Sequence, residues 1–220
     1  LAEQHSTATL PNGRLIDPLL AGYATGLLEP CMHALIESHL ILSEENRDFV
    51  RALEDRAAAE LEGMPVRPIG HAVRDRILGA IYADGWYGHA RPATDPDLPQ
   101  PLLKLAGGPI AAQKWRFYGF GVRERTVFAD DQVTAQLIKV KPGRALPSHT
   151  HEGVEATLVL RGAYRDETGG YRRGDVAVAD AAIDHRPVAD PETGCVCFSV
   201  TEGKLKLTGS IGRLFNGMMG

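Results

Sequence analysis

His149-Thr150-His151, followed four residues later by Glu155, constrains this chain more than any other stretch. Along an extended strand side chains alternate faces, so His149 and His151 project to the same side and bring two imidazoles towards one point. Glu152-Gly153 can break that strand. Glu155 then starts the next one and returns a carboxylate to the same side, with Thr157 and Val159 on its face. A lone histidine on a strand is ordinarily packed or solvated. Two histidines and a glutamate with matched face parity point instead to a bound metal.

The wider run Gly143-x5-His149-x-His151-x3-Glu155-x6-Gly162 resembles the first metal-binding motif of the cupin barrel. The resemblance implies an all-β jelly roll and a third histidine after a Gly-Asp turn. Gly174-Asp175 is followed by His185 at the matching distance. Asp180, Ala182 and Ala189 replace the proline, glycine and asparagine usual in that second motif, so the local backbone is expected to depart from the pattern while the histidine keeps its offset. By this resemblance His149, His151, Glu155 and His185 hold one divalent metal per chain. Three His and one Glu suit Zn, Fe, Mn or Ni, and affinity order by itself does not choose between them. Zinc is the first choice by resemblance.

The remainder of the chain divides by period. From Asp17 to about Leu61 apolar residues recur at helical spacing: Leu19, Leu20, Tyr23 and Leu27, then Met32, Leu35, Ile36, His39 and Leu40. Ser43-Glu44-Glu45 reads as the N-cap and acidic first turn of a third helix carrying Phe49, Val50, Leu53 and Leu61. Three short helices have little core of their own, so their apolar faces call for a partner surface. Gly63 to Pro68 is a linker, and a further helix is expected from Val73 to Tyr82, with Ile77, Leu78 and Ile81 on one side. The four prolines between Arg91 and Pro101 favour an extended tether. Beyond it the period changes to two in Val133–Val140, Glu155–Leu160, Val176–Ala179 and Cys195–Val200. The expected class is α+β. A helical domain over residues 1–85 is followed by a proline-rich linker over 86–104 and a barrel over 105–220.

With 220 residues and a net charge of -4, the chain can bury a real core and carries no basic footprint for nucleic acid. Direct binding to DNA or RNA is not expected. No apolar run approaches the roughly 20 residues of a bilayer span, and the first residues do not read as a secretory signal. The protein reads as cytoplasmic. Cys31, Cys195 and Cys197 are too few and too unevenly placed for a disulfide scaffold. Cys195 and Cys197 alternate on a strand and face the same side. An inert core role is the default for them, and redox sensing is the sharper reading.

The two halves together resemble the ChrR family of anti-sigma factors, which join a helical sigma-binding domain to a cupin. The likeness rests on His149 to Glu155, Thr157 to Thr168, Gly174-Asp175 and Cys195-Val196-Cys197, and more weakly on Tyr23-Ala24-Thr25-Gly26 and Ser38-His39-Leu40. The family's helical domain carries zinc on His-x3-Cys-x2-Cys with an upstream histidine. Here those positions read His39, Ser43 and Asn46, and the upstream one falls near Arg14 or Leu15. Serine and asparagine do not supply the thiolates that anchor structural zinc, so no zinc is expected in the helical half. His39 is expected to be partly buried by its helical neighbours. The resemblance implies a regulator that sequesters an extracytoplasmic-function (ECF) sigma factor through its helices and responds to oxidative stress through its barrel. Residues 1 to about 85 are then expected to bind the sigma factor alone. A homodimer stays open. The competing reading is a metal-dependent enzyme, dioxygenase or hydrolase-like, acting on a small molecule. It would need a further acid or base in the barrel, for which Tyr164 and Arg161 lie nearest the motif.

Overall fold

The computed structural model describes residues 13–83 and 94–209. Five α-helices come first: α1 (Gly13–Ala24), α2 (Pro30–Leu42), α3 (Arg47–Glu62), α4 (His71–Ala83) and α5 (Gln100–Ala106). The strands follow in the order β1 (Arg116–Gly119), β2 (Val122–Ala129), β3 (Val133–Val140), β4 (His149–His151), β5 (Glu155–Asp166), β6 (Gly169–Arg172), β7 (Val176–Ala179), β8 (Val188–Ala189), β9 (Cys195–Glu202) and β10 (Leu205–Leu207). The class is α+β, as the change of period implied. The main sheet runs β1-β2-β3-β9-β5-β6, with β7 and β8 also paired to β5, and β10 pairs with β4. All these pairings are antiparallel.

Strands β5 and β9 explain how the two halves fit. On one face, Val159, Cys195 and Cys197 pack with Val122, Val140 and Tyr164 inside the barrel. On the alternate positions, Ala156, Leu158, Leu160, Val196, Phe198 and Val200 join Leu20, Met32, Leu35 and Ile36 of α1 and α2 in a second core. A strand buried on both faces reads as a continuous apolar run, which is what Cys195-Val196-Cys197-Phe198 is. The partner surface that the short helices needed is thus the outside of the barrel. Helix α2 starts on Pro30, with the Glu29 carboxylate accepting from the backbone N–H groups of Cys31 (2.9 Å) and Met32 (3.1 Å).

The proline-rich segment differs from the expected tether. Residues 84–93 lie outside the described residues, but from Thr94 the chain is folded. Asp95 accepts from the N–H groups of Asp97, Leu98 and Ile110, and α5 buries Leu102, Leu103 and Ala106 against the helix–barrel core. Proline is tolerated in the first turn of a helix, so Pro101 opens α5 instead of preventing it. Ser43 also differs: it closes α2, and its hydroxyl accepts from Glu45 N–H, while Asn46 in the left-handed region (φ 67°) precedes α3. Gly162 is required where it stands, since a Cβ there would lie 2.0 Å from the carbonyl oxygen of Gly194. Helix α4 is the exception to the packing and buries no residue. Among the described residues no helix is long and apolar enough to cross a membrane.

Candidate metal centre

The barrel brings together all four residues that the sequence singled out. His149 and His151 sit on β4 two residues apart, held in register by β10, where Leu207 and Leu205 face them. Glu155 opens β5. His185 lies in the loop before β8 and exchanges a reciprocal pair of backbone hydrogen bonds with His149, each 3.1 Å. The replaced turn formers of the second motif therefore do not displace it. All four side chains are buried, and their ligand atoms lie within 4.8 Å of one another.

The nitrogens converge on one carboxylate oxygen. Glu155 Oε2 is 3.0 Å from His151 Nε2, 3.6 Å from His185 Nε2 and 4.0 Å from His149 Nε2. Its other oxygen, Oε1, is occupied, accepting from the hydroxyls of Ser199 (2.8 Å) and Thr201 (3.0 Å). The outer nitrogens of two rings are also fixed. His149 Nδ1 donates to the carbonyl of Pro147 at 2.7 Å, and His185 Nδ1 donates to Asp166 Oδ2 at 2.8 Å. For His149 this leaves the Nε2 lone pair turned inward, and for His185 it does so once the ring is neutral; such outer support is characteristic of metal-ligating histidines. His149 Nε2 and His185 Nε2 face each other at 3.1 Å. Among the described residues neither nitrogen of buried His151 has a hydrogen-bond partner, although Glu155 Oε2 lies 3.0 Å from its Nε2. Converging lone pairs and an orphaned buried imidazole are the donor set of a cation, so these four residues could hold one divalent ion.

The electrostatics agree with that chemistry. Burial alone would raise the Glu155 carboxyl, but the close imidazoles of His151, His185 and His149 hold it well below the usual carboxylate range. Burial lowers His149, keeping it neutral. Burial would lower His185 too, yet its bonds to Asp166 and Glu155 outweigh that and raise it to about 9.

Asp166, Ser199 and Thr201 are the functional residues that sequence reasoning missed. The signal for Asp166 was its place before Glu167-Thr168-Gly169, where its Oδ1 accepts from Thr168 and Gly169 and so aims Oδ2 at His185. For Ser199 and Thr201 it was their alternation with Cys195 and Cys197 on one face of β9.

Beside the four residues lies a small apolar cavity of about 40 Å³, walled by Ile138, Val140, Leu146, Tyr164, Cys195 and Cys197 among others. That is room for roughly two or three waters. Both cysteines face it, with Sγ atoms 3.0 Å apart. The hydrogen bond shared with Cys195, with burial, keeps the Cys197 thiol well above its ordinary range, so it is not a ready thiolate. Of the two acid–base candidates, Tyr164 lines the cavity, and burial holds its phenol protonated. Arg161 instead points outward and pairs with Asp97 at 2.9 Å.

The ChrR cupin-like domain matches residues 108–205. The anti-sigma-E factor ChrR of Cereibacter sphaeroides is 33% identical over 202 residues, spanning 90% of this chain and 93% of that protein. The crystal structure of Rhodobacter sphaeroides SigE in complex with the anti-sigma ChrR is similar with a TM-score of 0.70 and 31% identity, over 84% of this chain and 96% of the matched one. The likeness therefore covers the helices as well as the barrel, and the chain belongs to the ChrR family.

Proposed function

We propose that this chain is an anti-sigma factor whose helices hold an ECF sigma factor in the cytoplasm and whose barrel alters that hold under oxidative stress. The barrel would carry one ion, zinc as first choice, on His149, His151, Glu155 and His185. No second zinc is proposed at His39. Bound there, the ion would supply a Lewis-acidic centre next to two thiols. The division of labour follows residues 1–85 and 105–220, with residues 86–104 as the joint, of which the described part from Thr94 onward is packed.

The observation that carries the reading is α4. A 13-residue helix is marginal alone in water and draws its stability from packing an apolar face. Val73, Ile77, Leu78 and Ile81 recur at helical spacing, and each is 38–47% exposed. In a family whose relative is an anti-sigma factor and whose solved member is in complex with SigE, the occupant of that face is a sigma factor. The test is affinity capture by the full-length chain. Wild type should retain the ECF sigma factor, and Ile77→Asp with Ile81→Asp should lose it while keeping the metal. His149→Ala should retain the sigma factor but no longer release it on treatment with hydroperoxide. Undiminished capture by the double α4 variant would refute the assignment of the surface. Failure of every form to capture a sigma factor, with turnover of a small molecule by the barrel, would replace the regulator with the enzyme.

A further inference from the structure

A second cavity, of about 540 Å³, shares Leu146 with the small one beside the candidate metal ligands. Its size is that of an ordinary small-molecule site. The walls come from four stretches distant in sequence: the turn at Phe120 between β1 and β2, residues 143–148 ahead of β4, Arg186 and Val188 at the approach to β8, and Thr208-Gly209 after β10. Backbone hydrogen bonds zip the second stretch to the third, with Leu146 N–H donating to Pro187 O (2.9 Å) and Ala189 N–H to Arg144 O (2.9 Å). His149 directly follows one of these stretches and His185 directly precedes the other. The Pro147 carbonyl that fixes His149 Nδ1 belongs to the same wall.

The lining combines apolar surface with unpaired cations. Phe120, Leu146 and Val188 supply the first, and Arg144 and Arg186, both exposed, supply the second. Among the described residues neither guanidinium has an ion pair or a hydrogen bond, and the Ser148 hydroxyl has no partner. No Asp or Glu among them lines the cavity. The carboxylates bonded to these stretches are engaged elsewhere: Asp184 accepts from the Thr208 hydroxyl (2.7 Å), and Glu167 from the backbone N–H of Arg186 (2.8 Å). Phe120 is 65% exposed at φ 52°, a backbone conformation costly for a bulky side chain and found where ligands are clamped. Two guanidiniums and a hydroxyl are donors for a carboxylate. A fully polar anion would leave the apolar surface uncovered. We propose that this cavity binds a small organic carboxylate with an apolar body, its charge held by Arg144, Arg186 and Ser148 and its body lying on Phe120, Leu146 and Val188. Such a ligand rests on the two stretches that present His149 and His185, which gives the barrel an input for a small molecule beside the ion. The site concerns the barrel alone and does not depend on the anti-sigma reading.

Titration of the full-length protein with octanoate, followed by two-dimensional amide NMR, tests the site with no sigma factor present. Octanoate should give saturable shifts at the amides of Arg144, Leu146, Ser148, Arg186 and Val188. Two further probes separate the parts of the ligand: 1-octanol has the body without the charge, and inorganic phosphate has the charge without the body. Each should bind about tenfold more weakly than octanoate, since a hydrogen bond to a charged group is worth at least that factor. Arg144→Gln with Arg186→Gln should weaken octanoate about tenfold and leave octanol unchanged. Phe120→Ala should weaken octanoate and leave phosphate unchanged. All three residues are exposed, so these variants should keep the fold, which unchanged amide positions across β5 and β9 would verify. Absence of saturable shifts, shifts confined to other residues such as those of α4, octanol or phosphate binding as well as octanoate, or undiminished octanoate binding by either variant overturns the proposal.

Discussion

Asp166→Asn is the sharpest perturbation of the candidate metal site, because it changes one acceptor into a donor without changing volume. The Asp166 carboxylate has no exposed surface and accepts from His185 Nδ1–H at 2.8 Å through Oδ2, while Oδ1 accepts from Thr168 and Gly169. Asparagine can keep Oδ1 as the loop acceptor, and its amide then turns N–H towards Nδ1. His185 must answer with the other tautomer, placing its proton on Nε2, the nitrogen that faces Glu155 and His149. The ligand lone pair is lost from the site without any ligand being removed. Loss of such an outer partner typically weakens metal binding about 10–100-fold, which is about 1.4–2.7 kcal/mol. Competition for zinc against a chelating dye, at fixed pH, reads this directly. Wild type and Asp166→Asn should both reach one ion per chain at saturation, with the variant's dissociation constant raised within that range. An affinity within threefold of wild type would refute the claim that Asp166 sets the His185 tautomer.

Two further outcomes follow from the same geometry. The metal-free protein holds His185 protonated up to about pH 9, whereas a ligand must be neutral, so loading releases one proton and zinc affinity should rise about tenfold per pH unit from pH 7 and level off above about 9; an affinity flat over that interval, measured by calorimetry in buffers of different ionisation heat, would show the reasoning to be wrong. A fragment of residues 1–85 should not fold as a soluble helical domain, contrary to the modular expectation, because Leu20, Met32, Leu35 and Ile36 share a core with Leu158, Leu160 and Phe198 of the barrel; uncovering even three such side chains costs roughly 5–9 kcal/mol, comparable to the stability of a whole small domain, and a cooperative thermal transition in the isolated fragment would refute this.

The convergence of the four candidate ligands was legible because strand parity is a local property. His149, His151 and Glu155 needed nothing beyond the alternation of an extended chain and a break at Glu152-Gly153 to share a side, and His185 followed from resemblance. The same parity predicted that Cys195 and Cys197 face one way. It could not say that they face the cavity beside the metal residues, since that depends on which side of β9 is inside. The supporting shell was hidden for a related reason. Asp166, Ser199 and Thr201 lie 11 to 46 residues from Glu155 in sequence, and antiparallel pairing of β5 with β9 and the β5–β6 turn bring them within reach. Local signals also misplaced the joint. Prolines and polar residues between Arg91 and Pro101 carry the composition of a tether, but Leu102, Leu103 and Ala106 found a surface to bury against, and burial outweighed the breaker residues. His39 shows the limit most plainly. Its sequence neighbourhood offered a missing zinc site or a helix face, while its actual partner is the carbonyl of Gly174, 135 residues away. A chain determines by itself what each segment can become and which way its side chains alternate. Which surfaces meet is decided when the apolar faces of α1, α2 and α5 and the outer face of β5 and β9 leave water together, because that free energy belongs to the pair and to neither segment alone.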